Sequence, residues 1–132
     1  MIASGAYNYI NVLESVADAN WTRNSIISNN IANVDTPGYK RKDLQFEMYL
    51  QQELSGGSSL DAEVADADLN LLNGSTYTDY GTVSYRLDGN NVDIDTESSY
   101  LAQNQLKYYT VLDSISQEFS RLKSVIKNGN GS

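Results

Sequence analysis

The apolar positions of the N-terminal third recur at alternating steps of three and four, at Ile10, Leu13, Ala17, Asn20, Asn24, Ile27, Ile31 and Val34. This is the spacing of a helix whose seam packs on a neighbouring helix. Two asparagines interrupt the seam. Val12, Val16, Ala19 and Ile26 form a second, weaker stripe beside it, and Trp21 adds a large apolar side chain. The pattern predicts a helix over about 7–33, roughly 40 Å long, with apolar surface on more than one side. Near the C-terminus the same alternation runs through Leu101, Gln105, Tyr108, Leu112, Ile115, Phe119, Leu122 and Ile126, with only Gln105 breaking its apolar character. It predicts a second helix over about 96–127. Asp95 is its expected N-cap and Glu97 lies in its first turn. Arg121, Lys123 and Lys127 sit near its end, where cations suit the helix dipole.

The first helix must stop in the run Asn33-Val34-Asp35-Thr36-Pro37-Gly38, because the residue before a proline is pushed out of the helical region and Pro-Gly favours a type II turn. Asn29, Asn30 and Asn33 lie beside the backbone groups freed at such an end and are expected to hydrogen-bond the corner or a neighbouring subunit. Beyond it, the stretch 44–50 (LQFEMYL) alternates like a strand, yet Phe46, Leu50 and Leu54 also fit a helix, and both readings stay open. Residues 55–59 read as a flexible joint. The stretch 61–80, with a short apolar group at Leu69, Leu71 and Leu72, is acidic enough to be poorly ordered in isolation. The segment 82–88 (TVSYRLD) is the best strand candidate and ends in a turn at Gly89-Asn90. The expected fold class is mainly α, with long terminal helices forming a coiled-coil-like bundle around an irregular or small β-containing middle. As one structural domain, the chain divides into an N-terminal helix (1–34), a corner, acidic linker and short β segment (35–94), a C-terminal helix (95–127) and a tail (128–132).

Charge changes the picture of the middle. The net charge is −8, and twelve acids between Asp43 and Glu97 face the single base Arg86. That balance leaves no basic patch of the size that nucleic acid or an anionic lipid surface requires. The one basic cluster, Lys40-Arg41-Lys42, reads as a solvated turn. The chain has neither cysteine nor histidine, which excludes disulfides, thiolate metal sites and every histidine-based catalytic arrangement. Its start carries no basic region followed by an apolar block, so no cleavable secretory signal is expected. No apolar stretch approaches the roughly 18 residues of a membrane span.

Candidate chemistry is sparse. Two carboxylates at the right separation would suffice for a glycosidase-type site, but nothing singles out a pair, and a solvated acidic segment accounts for them. The stretch 88–97 (DGNNVDIDTE) superficially resembles a calcium loop but lacks glycine at the sixth position in either register, and a turn followed by a capped helix explains it. Gly56-Gly57-Ser58-Ser59 lacks the lysine of a phosphate loop and reads as linker. Ten tyrosines suit either a partly buried core or an interface. No catalytic, metal-binding or cofactor-binding residue is assigned, and no cofactor is expected.

The run 28–46 (SNNIANVDTPGYKRKDLQF) resembles the N-terminal signature of the bacterial flagellar axial proteins, the rod, hook and hook-associated subunits. Ser28 and Val34 stand where alanine is frequent. The second block, 85–97 (YRLDGNNVDIDTE) followed by the C-terminal helix, resembles the proximal rod members of that family. Residues 55–81 carry no recognisable match. The resemblance implies a structural subunit and not an enzyme. Such a subunit is exported unfolded by the flagellar type III system and packs its terminal helices in the inner layer of a hollow rod that carries motor torque. It marks Asn29, Asn30, Ile31, Asn33, Asp35, Thr36, Pro37, Gly38 and Tyr39 as an assembly motif. Ile10, Leu13, Ile27, Leu101, Tyr108, Leu112, Ile115, Phe119, Leu122 and Ile126 become the helix-seam interface. The implied partners are further copies of the chain, the rod proteins FlgC and FlgF, the adaptor protein FliE and the flagellar export gate, with no nucleic acid and no small-molecule substrate. The implied location is the basal body, outside the cytoplasmic membrane. A reading of a different class is a secreted acidic cell-wall hydrolase or carbohydrate-binding module. Fibre formation separates the first from the second, which requires turnover or binding of peptidoglycan fragments.

Overall fold

In the computed structural model the described residues are 2–53, 59, 62–64, 75–80 and 86–129. They form helix α1 (Ile2–Ala32), strand β1 (Lys42–Gln45), helix α2 (Glu47–Glu53), strand β2 (Ser75–Thr78) and helix α3 (Ile94–Gly129). The fold is mainly helical, with a small two-stranded sheet between long terminal helices. No helix among the described residues is long and apolar enough to cross a membrane. All of the joint expected at 55–59 but Ser59, the apolar group at Leu69, Leu71 and Leu72, and most of the strand expected at 82–88 lie outside the described residues. Of that last segment, Arg86 to Asp88 form a turn closed by the Gly89 N–H on the Arg86 carbonyl at 3.2 Å.

Both stripes of α1 are used, for different neighbours. The principal seam meets α3 in antiparallel sense: the Asn104 amide donates to the Asn20 carbonyl at 2.7 Å, and Trp21 packs on Tyr108 with ring centroids 5.7 Å apart. The second stripe meets the strand, where Ala19 is buried with Leu44 and Phe46, flanked by Val16 and Ile26. The stretch 44–50 proves to be both of its alternatives, strand to Gln45 and helix from Glu47. Phe46, at 2% exposure, fills the core at the break. β1 and β2 run antiparallel with Lys42 opposite Thr78 and Leu44 opposite Thr76.

Within the single chain, α3 covers only part of its expected seam. Its non-exposed positions are Glu97, Tyr100, Leu101, Asn104, Tyr108, Val111, Ser114, Ile115, Glu118 and Leu122. Leu101, Tyr108, Ile115 and Leu122 belong to both sets, but Gln105, Leu112, Phe119 and Ile126 are exposed. The physical reason is Asn104, whose bond to the α1 backbone turns a polar row inward and leaves the more apolar row facing out. The N-cap is also displaced. Asp93, not Asp95, accepts the Asp95 and Thr96 N–H groups on its carboxylate, at 3.0 and 3.4 Å.

The corner takes the expected type II form. Gly38 has φ of 72° at the third turn position, and the Tyr39 N–H closes the turn on the Thr36 carbonyl at 3.2 Å. A Cβ on Gly38 would meet nothing within 4 Å, so a substitution there is penalised by backbone conformation and not by collision. Gly38→Val is expected to cost about 1–2 kcal/mol, and Gly38→Asn less, since asparagine tolerates positive φ. Urea denaturation of the two variants checks the order.

Candidate functional site

The corner rests on three buried asparagines and a buried arginine. Asn30, on the last turns of α1, treats Lys42 as a paired strand would. Its Oδ1 accepts the Lys42 N–H at 2.9 Å and its Nδ2 donates to the Lys42 carbonyl at 2.7 Å. The remaining capacity of the amide is also used, by the Tyr39 hydroxyl donating at 3.1 Å and by donation to Glu97 Oε2 at 3.1 Å. Asn90 gathers the carbonyls released where α1 ends: its Nδ2 donates to those of Asn33, Val34 and Thr36 at 2.9, 3.0 and 2.8 Å. Asn91 accepts the Arg41 N–H and donates to the Asp79 carbonyl, both at 2.7 Å. The returning chain also supplies the Asp88 carbonyl to the Gly38 N–H at 2.7 Å.

Beneath the corner lies a charged knot. Arg41, 7% exposed, donates through Nε to Glu97, through Nη1 to Asp79 at 3.1 Å and through Nη2 to Asp43 at 3.2 Å. Asp43 is gripped from its other side by Arg23 in a two-pronged contact of 2.8 and 3.1 Å, the geometry that suits guanidinium and carboxylate. The Tyr100 ring has both guanidinium carbons near it, 5.4 and 5.7 Å from its centroid. One cluster therefore joins α1, β1, the end of β2 and the first turn of α3. The reading of Lys40-Arg41-Lys42 as a solvated turn is corrected: Lys42 is exposed, but Lys40 donates to the Gly89 carbonyl and Arg41 is buried. Asp43, Asp79 and Glu97 likewise leave the solvated acidic segment, since together they offset the buried Arg41 and the half-buried Arg23. The alternation of single charges in Arg41-Lys42-Asp43, one inward and one outward, is the only sequence signal that pointed to this.

Titration follows from the partners. Burial pushes the Asp43 carboxyl up, but the Arg23 hydrogen bond, the Leu44 N–H and Arg41 outweigh it and hold it below the usual carboxylate range. Burial works against the Arg41 guanidinium too, and Glu97, Asp43 and Asp79 overcome it, so Arg41 stays charged. Arg23 is raised by its bond to Asp43, and Tyr39 is raised by burial and by Glu97. A lowered folded-state carboxylate stabilises the fold above its unfolded value and loses that contribution as pH falls through the folded one. Subunit stability is therefore expected to decline below about pH 4, the ordinary carboxylate value. Asp43→Asn should flatten that decline, as acid titration followed by circular dichroism would check.

Of the assembly-motif residues, Asn30 is buried and Ile31, Asn33 and Tyr39 are half-buried. Asn29, Asp35, Thr36, Pro37 and Gly38 form the exposed outer rim. Asn33 Nδ2 donates back to the Asn29 carbonyl at 2.8 Å, and the Thr36 hydroxyl donates to Asn33 Oδ1 at 3.1 Å. On α1, Ile10 and Ile27 are buried and Leu13 is half-buried. Arg41, Asn90, Asn91 and Glu97 were missed as site residues. The paired Asn90-Asn91 after Gly89, like the asparagines of the corner, was the available signal.

The stretch from the N-terminal third of α1 through this corner, residues 10–40, matches the family model described as flagella basal body rod protein. The molecule is thus of the flagellar rod class, built from two long terminal helices joined through a fixed corner. It is 37% identical to the flagellar basal body rod protein FlgB of Bacillus subtilis (strain 168), with 81% of this chain and 84% of the relative covered. Against FlgB of Borreliella burgdorferi the identity is 31%, with 92% and 93% covered. Against FlgB of Escherichia coli (strain K12) it is 30%, with 82% and 85% covered. The chain belongs to the FlgB family of flagellar basal body rod proteins and is a structural subunit of the rod. Nothing in these relationships favours a cell-wall hydrolase or a carbohydrate-binding module.

Proposed function

We propose that the chain is a proximal rod subunit that performs no catalysis. It polymerises with copies of itself and with FlgC and FlgF, beside FliE and the flagellar export gate, after leaving through the type III apparatus. In that position it carries torque and encloses the channel through which later subunits pass. The residues 1–34 and 95–127 act there as one antiparallel pair, with 35–94 holding the pair together.

The observation that carries this reading is the outward row Leu112, Phe119 and Ile126. Three large apolar side chains recur at seven-residue spacing on α3, 39%, 47% and 52% exposed. Such a row is the seam of a helix that has a further partner. The assembly-motif residues keep the corner rigid so that this row is presented in one orientation. Each carboxylate of the knot is engaged by Arg41, which supports a structural role over acid/base chemistry. Because Leu112 is exposed in the free subunit, Leu112→Asp is expected to leave helix content unchanged and to remove rods from purified basal bodies. A normal number of rods, with normal swimming, would contradict the reading.

A further inference from the structure

Between α1 and α3 runs an open groove of about 600 Å3, with Trp21, Tyr108, Leu112 and Ile115 on its floor and Glu14 and Asp18 along one edge. Trp21 is 61% exposed there, an unusual cost for the chain's one tryptophan. Glu14 and Asp18 are one helical turn apart on α1, both exposed, and neither has an ion-pair partner among the described residues. The far end of α3 carries the complementary arrangement. Lys123 and Lys127 are also one turn apart, exposed and without an ion-pair partner among the described residues. Phe119, Lys123, Ile126 and Lys127 follow the i, i+4, i+7, i+8 spacing of a single helix face.

We propose that the groove of one subunit receives the α3 tip of a second copy, with Phe119 and Ile126 on the aromatic floor and Lys123 and Lys127 against Asp18 and Glu14. Carboxylates and ammonium groups each set one turn apart, about 6 Å between Cβ atoms, can pair two by two along a helix-on-helix contact. The apolar filling supplies the affinity, and the paired charges set the register. Groove and tip are different surfaces of the same chain, separated along the antiparallel pair by roughly 20 Å at 1.5 Å per residue. A contact between unlike surfaces is heterologous, so it does not close on itself as a two-fold dimer does but hands on a free groove and a free tip to the next copy. This inference rests on the rod reading and specifies which surfaces of neighbouring copies meet.

The chain has no cysteine, so Asp18→Cys combined with Lys123→Cys reports the contact without background. In intact basal bodies, oxidation is expected to turn the doubly substituted chain into covalent dimers and longer oligomers, while either single substitution stays monomeric. As a second readout, Asp18→Lys is expected to abolish swimming and Lys123→Asp in the same chain to restore it. A doubly substituted chain that enters rods at normal levels and stays monomeric on oxidation would overturn the contact. So would a paired reversal that swims no better than the single one, or a covalent adduct to a different rod protein. All three leave the rod reading standing, whereas absence of the unsubstituted chain from basal bodies overturns the rod reading itself.

Discussion

Arg41→Met is expected to destabilise the subunit by about 3–5 kcal/mol, because breaking a buried ion pair from one side leaves the other charge desolvated and unpaired. The stranded group is Glu97, 1% exposed, whose remaining side-chain partner among the described residues is the Asn30 amide. Asp43 keeps Arg23 and suffers less. A loss of this size is a large share of the total stability of a small domain, and it falls on the contact that ties α3 to β1. The distinguishing comparison is Arg41→Met with Glu97→Gln. A neutral amide at 97 still accepts from Asn30 and removes the unpaired charge, so the double variant is expected to be more stable than Arg41→Met alone. Equilibrium urea denaturation of the purified subunits measures both. A cost below about 1 kcal/mol for Arg41→Met, the range of exposed ion pairs, would mean that the knot is not buried in solution.

The second large effect is expected at Asn90, fully buried, whose amide serves three carbonyls at the end of α1. Asn90→Ala withdraws that donor from all three, and the acceptor from the Val92 N–H. The Asn33, Val34 and Thr36 carbonyls keep only their other bonds, from the Thr36 N–H, Arg86 and the Tyr39 N–H. The loss should cost about 1–3 kcal/mol. Asn90→Asp preserves shape, and its oxygen can still accept the Val92 N–H that now bonds Oδ1 at 2.8 Å. It places a carboxylate against three carbonyl oxygens, however, and is expected to be at least as damaging as alanine. Asn29→Asp, on the exposed rim, serves as the control and should shift the thermal midpoint little. Equal, small shifts for all three variants would show that the corner is held by something other than this amide.

The difference between what could and could not be read from the chain follows from which interactions leave a periodic trace. Both long helices did, because burial of one helical face repeats every three to four residues, and Pro37-Gly38 fixed the turn type through backbone sterics alone. Periodicity marks the outward row of α3 as a seam, but it ranks rows by apolarity and does not say which partner covers each. Only the partner, here the Asn20 backbone receiving Asn104, decides which row turns inward. Strand β2 was missed: its residues Ser75-Thr76-Tyr77-Thr78 show no apolar alternation, and three of the four are exposed. It is held by backbone pairing with β1 and by Asn91 bonding the Asp79 carbonyl just beyond it. The knot left the weakest trace. Arg41 stands between two lysines, and what separates it from them is the convergence of carboxylates at positions 43, 79 and 97, which no local window contains.

Placement of this chain at the base of the flagellar rod, carrying torque there, is what the proposed function requires. An electron cryo-microscopy image of the intact basal body tests it most directly. The account predicts density for this chain at the base of the rod, with α1 and α3 in the inner layer and the row Leu112, Phe119 and Ile126 covered by neighbouring subunits. A rod that is complete without this chain, or one in which that row faces solvent, would contradict it.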